Sequence, residues 1–94
     1  MSHPLFDLSG RVAMVSGAAS GMGRQMALGF AEVGADVVLA DINLPGAEQT
    51  ADDIDSIGRR ALAVRCNVSE IEQVRSLYQT IDSEFGRIDI VGNV

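Results

Sequence analysis

Ser16-Gly17-Ala18-Ala19-Ser20-Gly21-Met22-Gly23 is the stretch on which the fold turns. Before it runs Arg11-Val12-Ala13-Met14-Val15-Ser16, a short apolar segment that reads as a strand buried on both faces. After it the apolar period becomes helical, with Met22, Met26, Ala27, Phe30 and Ala31 on one expected inward face. A glycine-rich turn between a strand and a helix points unpaired backbone N–H groups and the positive helix end at one spot. That is a ready site for a phosphate-bearing anion. Glycine suits the loop because the backbone can turn sharply and approach an anion with no Cβ in the way. The spacing is Gly17, Gly21 and Gly23.

Working outward, the same alternation repeats. Gly34 is placed to cap the first helix, and Asp36-Val37-Val38-Leu39-Ala40-Asp41 reads as a second strand closed by an acid. Asn43 is a cap candidate with Pro45 in the first turn of the next helix. That helix should bury Ala47, Ala51, Ile54 and Ile57 and stop at Gly58. Arg60–Cys66 reads as the third strand. Ser69 and Glu72 have the spacing of a capping box for a third helix. Ile71, Val74, Tyr78, Ile81 and Phe85 recur along it at helical spacing, Tyr78 being read as a packing residue. Gly86 ends it, and Ile88-Asp89-Ile90-Val91 begins a fourth strand.

The order β-α-β-α-β-α-β with short connections and right-handed crossovers predicts an α/β fold, a doubly wound parallel sheet. In the strand order 3-2-1-4 the fourth strand is an edge. The expected unit is the N-terminal part of one Rossmann-type domain over residues 1–94, incomplete after the fourth strand. Repeats, linkers and low-complexity segments are absent.

Composition narrows the partners. A hydrophobic share of 47% with 21% charged residues describes a folded chain rather than a disordered one. The apolar runs are too short to span a bilayer, and Met1–Asp7 shows no basic-then-apolar leader, so a cytoplasmic protein without a membrane partner is expected. The net charge of −6 disfavours nucleic acid. The lone Cys66 and lone His3 give neither a disulfide nor a metal cluster.

Asp41 lies 18 residues beyond Gly23, where an acid can accept from the hydroxyls of an adenosine ribose. Taken together, these segments resemble the short-chain dehydrogenase/reductase family. Its loop is Thr/Ser-Gly-x-x-x-Gly-x-Gly, and its Gly-Arg-Val-Ala-x-Val-Ser/Thr-Gly appears as Gly10–Gly17. Its approach to the fourth strand appears as Gly86-Arg87-Ile88-Asp89-Ile90. The resemblance implies a nicotinamide-dinucleotide site at Gly17, Ser20, Gly21, Met22, Gly23, Asp41, Ile42, Asn67, Val68 and Asn93. It departs from the family's pattern twice. Asn67-Val68 stands where the family has Asp-Val, keeping an acceptor for the adenine amino group without the charge. Gly92-Asn93-Val94 stands near the family's Asn-Asn-Ala-Gly, with Asn93 in the first asparagine's place and Val94 in the second's.

NADP-users of the family carry a base at the position of Ser20 or Ile42; with Asp41 alongside, the reading is NAD. A carboxylate about 4 Å from a phosphate is opposed by roughly 4 kcal/mol per unit charge at an effective dielectric near 20. A helix terminus returns only about 0.3–1 kcal/mol. Arg24 is expected to face solvent or a carboxylate rather than rescue that phosphate. The family's chemistry implies a tyrosine acid/base with a lysine four residues on. Here the only tyrosine is Tyr78, Asp82 follows at that spacing, and all seven basic residues are arginines. No catalytic residue is therefore assigned. The resemblance implies a homo-oligomeric parent enzyme acting on an alcohol/ketone substrate that the sequence does not specify. The alternatives are a stand-alone nucleotide-binding module without catalysis, and an S-adenosylmethionine-binding fold with a similar loop and acid.

Overall fold

A computed structural model describes residues 7–93. The leader, His3 and Val94 readings lie outside them. In chain order the elements are β1 (Val12–Ser16), α1 (Gly21–Glu32), β2 (Asp36–Asp41), α2 (Leu44–Ile57), β3 (Ala61–Arg65), α3 (Ile71–Phe85) and β4 (Ile90–Asn93). All strand pairings are parallel and the sheet order is β3-β2-β1-β4, the doubly wound arrangement that the alternation predicts.

Strand alternation sorts the core into two faces. Val15, Val37 and Leu39 point to the side covered by α1 and α2, where they meet Ala27, Ala31, Ala47, Ala51 and Ile54. Val12, Met14, Val38 and Ala40 point the other way, onto Leu77 and Ile81 of α3. The buried positions of α1 are Gly23, Ala27 and Ala31, so this helix lies close on the sheet. Larger side chains fill the space elsewhere. Leu39 and Ile54 are fully buried, each contributing about 1.5–3 kcal/mol relative to exposure.

The helix ends follow local chemistry. Asn43 accepts from the Gly46 N–H at 3.1 Å, capping α2, and Pro45 sits in its first turn. Gly58 and Gly86 adopt the left-handed cap conformation at the ends of α2 and α3. Gly34, at φ 107°, follows α1 and donates to Ala31 O at 3.0 Å.

Four expectations are corrected. The Ser69–Glu72 capping box does not form: Ser69 turns back onto the Asn67 side chain, Glu72 pairs with Arg75, and Glu70 takes the cap position without a side-chain bond. Met22, Ile57, Ile71 and Tyr78 do not face the core. Each sits at a flank or end of its helical stripe beyond the sheet's reach, Met22 and Ile71 being 72% exposed. β4 begins at Ile90 rather than Ile88; Asp89 just before it donates its N–H to Val12 O at 2.9 Å, while its carboxylate accepts from the Val12 N–H at 2.9 Å and from Arg87. β1 and β3 are each shorter than read, starting at Val12 and Ala61, with β3 ending at Arg65.

Candidate functional site

The carboxyl ends of the strands converge on one edge of the sheet. Ser16 ends β1, Asp41 ends β2, Asn67 and Val68 follow β3, and Asn93 ends β4. The loop Gly17–Ser20 crosses this edge and delivers the chain into α1.

Sequence dictates the loop's path at three points. Gly17 and Gly21 hold φ of 71° and 61°, a region that costs an L side chain strain. Gly23 has an ordinary φ but no room: a Cβ there would fall 1.9 Å from the carbonyl oxygen of Gly17. The loop then hangs from the second strand, with Gly17 N–H donating to Ala40 O at 2.8 Å.

The first turn of α1 is open. Ser20 occupies the cap position in extended conformation, makes no side-chain cap bond, and no acid stands in the first turn. Where the Asn43 side chain accepts from the Gly46 N–H at the start of α2, the start of α1 has no such side-chain partner, which leaves a positive helix end facing the strand termini.

Asp41 lies beside this opening. One carboxylate oxygen accepts from the Ala19 N–H at 3.0 Å and the other from the Asn43 N–H at 2.9 Å. It therefore ties the glycine loop to the end of β2 while keeping its negative charge at the edge. A cleft of about 140 Å³ lies between β2 and β3, lined by Ser16, Gly17, Asp41, Ile42, Asn67 and Val68, with Cys66 behind. That is below the roughly 300–1,000 Å³ of a whole-ligand pocket, so it suits one part of a ligand such as a flat ring. Ile42 and Val68, both 57% exposed, give the cleft an apolar rim. Larger hollows of about 440 and 510 Å³ run along the flanks of α3. They are open grooves lined mainly by α3 side chains, without the uncapped helix start that lies beside the loop.

Several predicted site residues come together, some in unexpected ways. Gly17, Ser20, Gly21, Met22 and Gly23 form the loop and first turn, with Met22 pointing into solvent. The Asn67 Oδ1 is occupied twice, by the Ser69 N–H at 3.0 Å and the Ser69 hydroxyl at 2.7 Å. Its Nδ2 is thus the end left to offer. Asn93 is paired with Ser16 in the β1–β4 register, and its Oδ1 accepts from the Ser16 hydroxyl at 2.9 Å. Arg24 meets a carboxylate, that of Asp53 on α2.

Two contributors escaped sequence reasoning. Ala19 supplies the N–H that Asp41 holds, which no side chain advertises. Thr50 is fully buried on α2 and donates to Ala18 O at 3.0 Å. Its signal was a polar residue lying between Ala47 and Ala51 on an otherwise apolar stripe. Cys66 is buried, and burial pushes its thiol up from its ordinary value. Tyr78 and Asp82 stand on the exposed flank of α3, away from the strand ends.

A family model described as short chain dehydrogenase matches residues 11–94. The chain is 36% identical to the 7alpha-hydroxysteroid dehydrogenase of Escherichia coli (strain K12), over 92% of this chain and 34% of that protein. It is 39% identical to the probable NADP-dependent mannitol dehydrogenase of Yarrowia lipolytica, over 90% of this chain and 31% of that protein. The crystal structure of hydroxysteroid dehydrogenase from Escherichia coli superposes with a TM-score of 0.91 at 35% identity, covering 94% of this chain and 37% of that one. The chain thus spans about a third of the length of these relatives. With the family model matched over residues 11–94 and the fold superposable in its β3-β2-β1-β4 order, the chain belongs to the short chain dehydrogenase family.

Proposed function

We propose that this chain forms the NAD(H)-binding part of an oxidoreductase that moves a hydride between the nicotinamide and an alcohol or ketone substrate. The observation that carries the reading is the pairing of an uncapped α1 N-terminus with the Asp41 carboxylate, joined through the Ala19 N–H. The open first turn at Ser20–Gly23 suits the pyrophosphate, since its N–H groups and helix dipole favour negative charge. Asp41 suits the adenosine ribose, as an acceptor for its hydroxyls. The cleft between Ile42 and Val68 suits the adenine ring. Asn67, with its oxygen engaged by Ser69, is read as donating from Nδ2 to a ring nitrogen rather than accepting from the amino group. Asn93 ends β4, on whose side the nicotinamide half would lie, and Met22 stands exposed in the first turn of α1. When bound, the cofactor supplies the hydride chemistry. This chain's residues bind and orient it.

Family membership alone does not choose between NAD and NADP, because a relative of similar identity is named as NADP-dependent. The local charges favour NAD. Ser20 and Ile42 bring no cation, Asp41 brings an anion, and Arg24 is engaged by Asp53 and Thr50. Even a third of the roughly 4 kcal/mol opposing a 2′-phosphate at 4 Å is about a tenfold preference. Isothermal calorimetry of the chain with NAD and NADP tests this. NAD is expected to bind at least about tenfold more tightly. Equal or tighter binding of NADP would overturn the cofactor assignment.

A further inference from the structure

The peptide group between Ala18 and Ala19 is gripped at both ends, from opposite sides. Its carbonyl oxygen accepts from Thr50 Oγ1 at 3.0 Å, and its N–H donates to Asp41 Oδ2 at 3.0 Å. The first grip comes from α2 and the second from the end of β2, so the peptide plane cannot rotate without losing both bonds. Ala18 itself is fully buried, and its neighbours are constrained by the positive φ of Gly17 and the extended Ser20.

Thr50 is in turn oriented. A helical threonine commonly turns its hydroxyl onto the carbonyl four residues back, here Gly46 O at 3.3 Å. Arg24 Nη1 donates to the same Oγ1 at 3.1 Å, filling a lone pair, and Arg24 is held by the Asp53 carboxylate. With that lone pair taken, the single hydroxyl proton goes to the nearer acceptor, Ala18 O. The contact between the loop and α2 is close enough for this to matter: a Cβ on Gly46 would come 2.8 Å from the Ala19 side chain.

We propose that Thr50, aligned by the Arg24–Asp53 ion pair, is a positioning residue that sets the plane of the Ala18–Ala19 peptide. Through that plane it sets the direction in which the chain enters the uncapped first turn of α1, whose N–H groups are the open ones. Thr50 lies outside the glycine motif and touches no ligand on this reading. Its effect on affinity rests on the NAD proposal, whereas its effect on the loop does not.

The test compares Thr50→Val, which keeps the shape and removes the hydroxyl, with Thr50→Ser, which keeps the hydroxyl. NAD affinity is measured by calorimetry, amide hydrogen exchange at Ala19 by NMR, and the folded fraction by urea titration. Thr50→Val should weaken NAD binding by about tenfold, because a buried carbonyl loses its partner, and should speed exchange at Ala19 at least about tenfold. Thr50→Ser should stay within about threefold of the parent on both counts. Asp53→Asn should fall between them. If Thr50→Val, corrected for folded fraction, matches the parent in Ala19 exchange, the positioning role is wrong. If Thr50→Ser fails as badly as Thr50→Val, packing rather than the hydroxyl is responsible, and the role is again wrong. Should the parent not bind NAD at all, the cofactor reading fails alone, and the Ala19 exchange rates still decide this one.

Discussion

Gly23→Ala puts the loop geometry to its sharpest test. The added Cβ would lie 1.9 Å from Gly17 O, 2.6 Å from Gly17 C and 3.3 Å from Ala18 Cα. Both partners are backbone, so no side chain can swing aside, and the helix and loop must part by at least about 1 Å. The loop has little freedom to move. Gly17 N–H is bonded to Ala40 O, Ala18 O to Thr50 and Ala19 N–H to Asp41. The displacement therefore lifts the first turn of α1 from the sheet. Overpacking of flexible side chains costs about 1–3 kcal/mol; against rigid backbone the expected loss is about 2–4 kcal/mol. For a chain of this size that is a fall in Tm of about 10–25 °C. Gly29→Ala is the matched control in the same helix. Its Cβ would meet nothing within 4 Å, and alanine in a helix interior should stabilise by about 0.5–1 kcal/mol. Urea unfolding followed by circular dichroism reads both, with an unchanged slope showing that stability alone has moved. Gly23→Ala within about 0.5 kcal/mol of the parent, or both variants shifting in the same direction, would refute the close-approach argument.

Two further outcomes are expected. Asp89 is lowered to about 2, first by its side-chain bonds to Arg87 and next by the Val12 N–H. Its folded value lies below the ordinary 3.8, so its contribution to stability is fully present above about pH 4 and is lost as pH falls through about 2. The stability gap between the parent and Asp89→Asn, measured by urea titration at several pH values, should be flat from pH 5 to 8 and shrink from about pH 4 to 2. A gap that does not change with acid would count against the bonds of the Asp89 carboxylate to Arg87 and the Val12 N–H. Cys66, buried and with its thiol raised, should react with a thiol-specific reagent at least about tenfold more slowly in the native chain than in urea. Equal rates would mean that the β3 end is not packed as described.

The features that sequence made legible are those whose cause is local. Positive φ at Gly17, Gly21, Gly58 and Gly86, the Asn43 cap and the alternation of Val37, Val38, Leu39 and Ala40 all follow from residue type and its near neighbours. Where two local options competed, sequence did not choose between them. Ser69 could cap α3 or close a turn with Asn67, and the turn prevails because Asn67 Oδ1 receives both the N–H and the hydroxyl of Ser69. Helical periodicity placed Ile81 in the apolar stripe of α3 but read Tyr78 where its neighbour Leu77 is the buried residue. Leu77 and Ile81 meet the sheet, whereas Ile71 and Tyr78, on the flank, do not. Thr50 stood out only as a polar residue on an apolar stripe, and its role was hidden for another reason: its partner Ala18 is 32 residues away, and only the packing of α2 against the loop brings them together.

Asp41 shows how the structure alters the meaning of a residue that sequence had already singled out. Read alone, it is an acceptor waiting for ribose hydroxyls. In the fold both of its oxygens already accept backbone N–H groups, from Ala19 and Asn43. The two uses are compatible, since an ionised carboxylate offers about four acceptor positions and two are filled. They also reinforce each other. The backbone bonds fix the side chain's rotamer, so the remaining lone pairs point in a set direction, and the charge cannot swing away from an incoming 2′-phosphate. A freely rotating aspartate could relieve that repulsion by turning to solvent. One pinned between a glycine loop and a helix cap cannot, so on the proposed cofactor reading Asp41 argues more strongly for NAD in the folded chain than its type and position alone would.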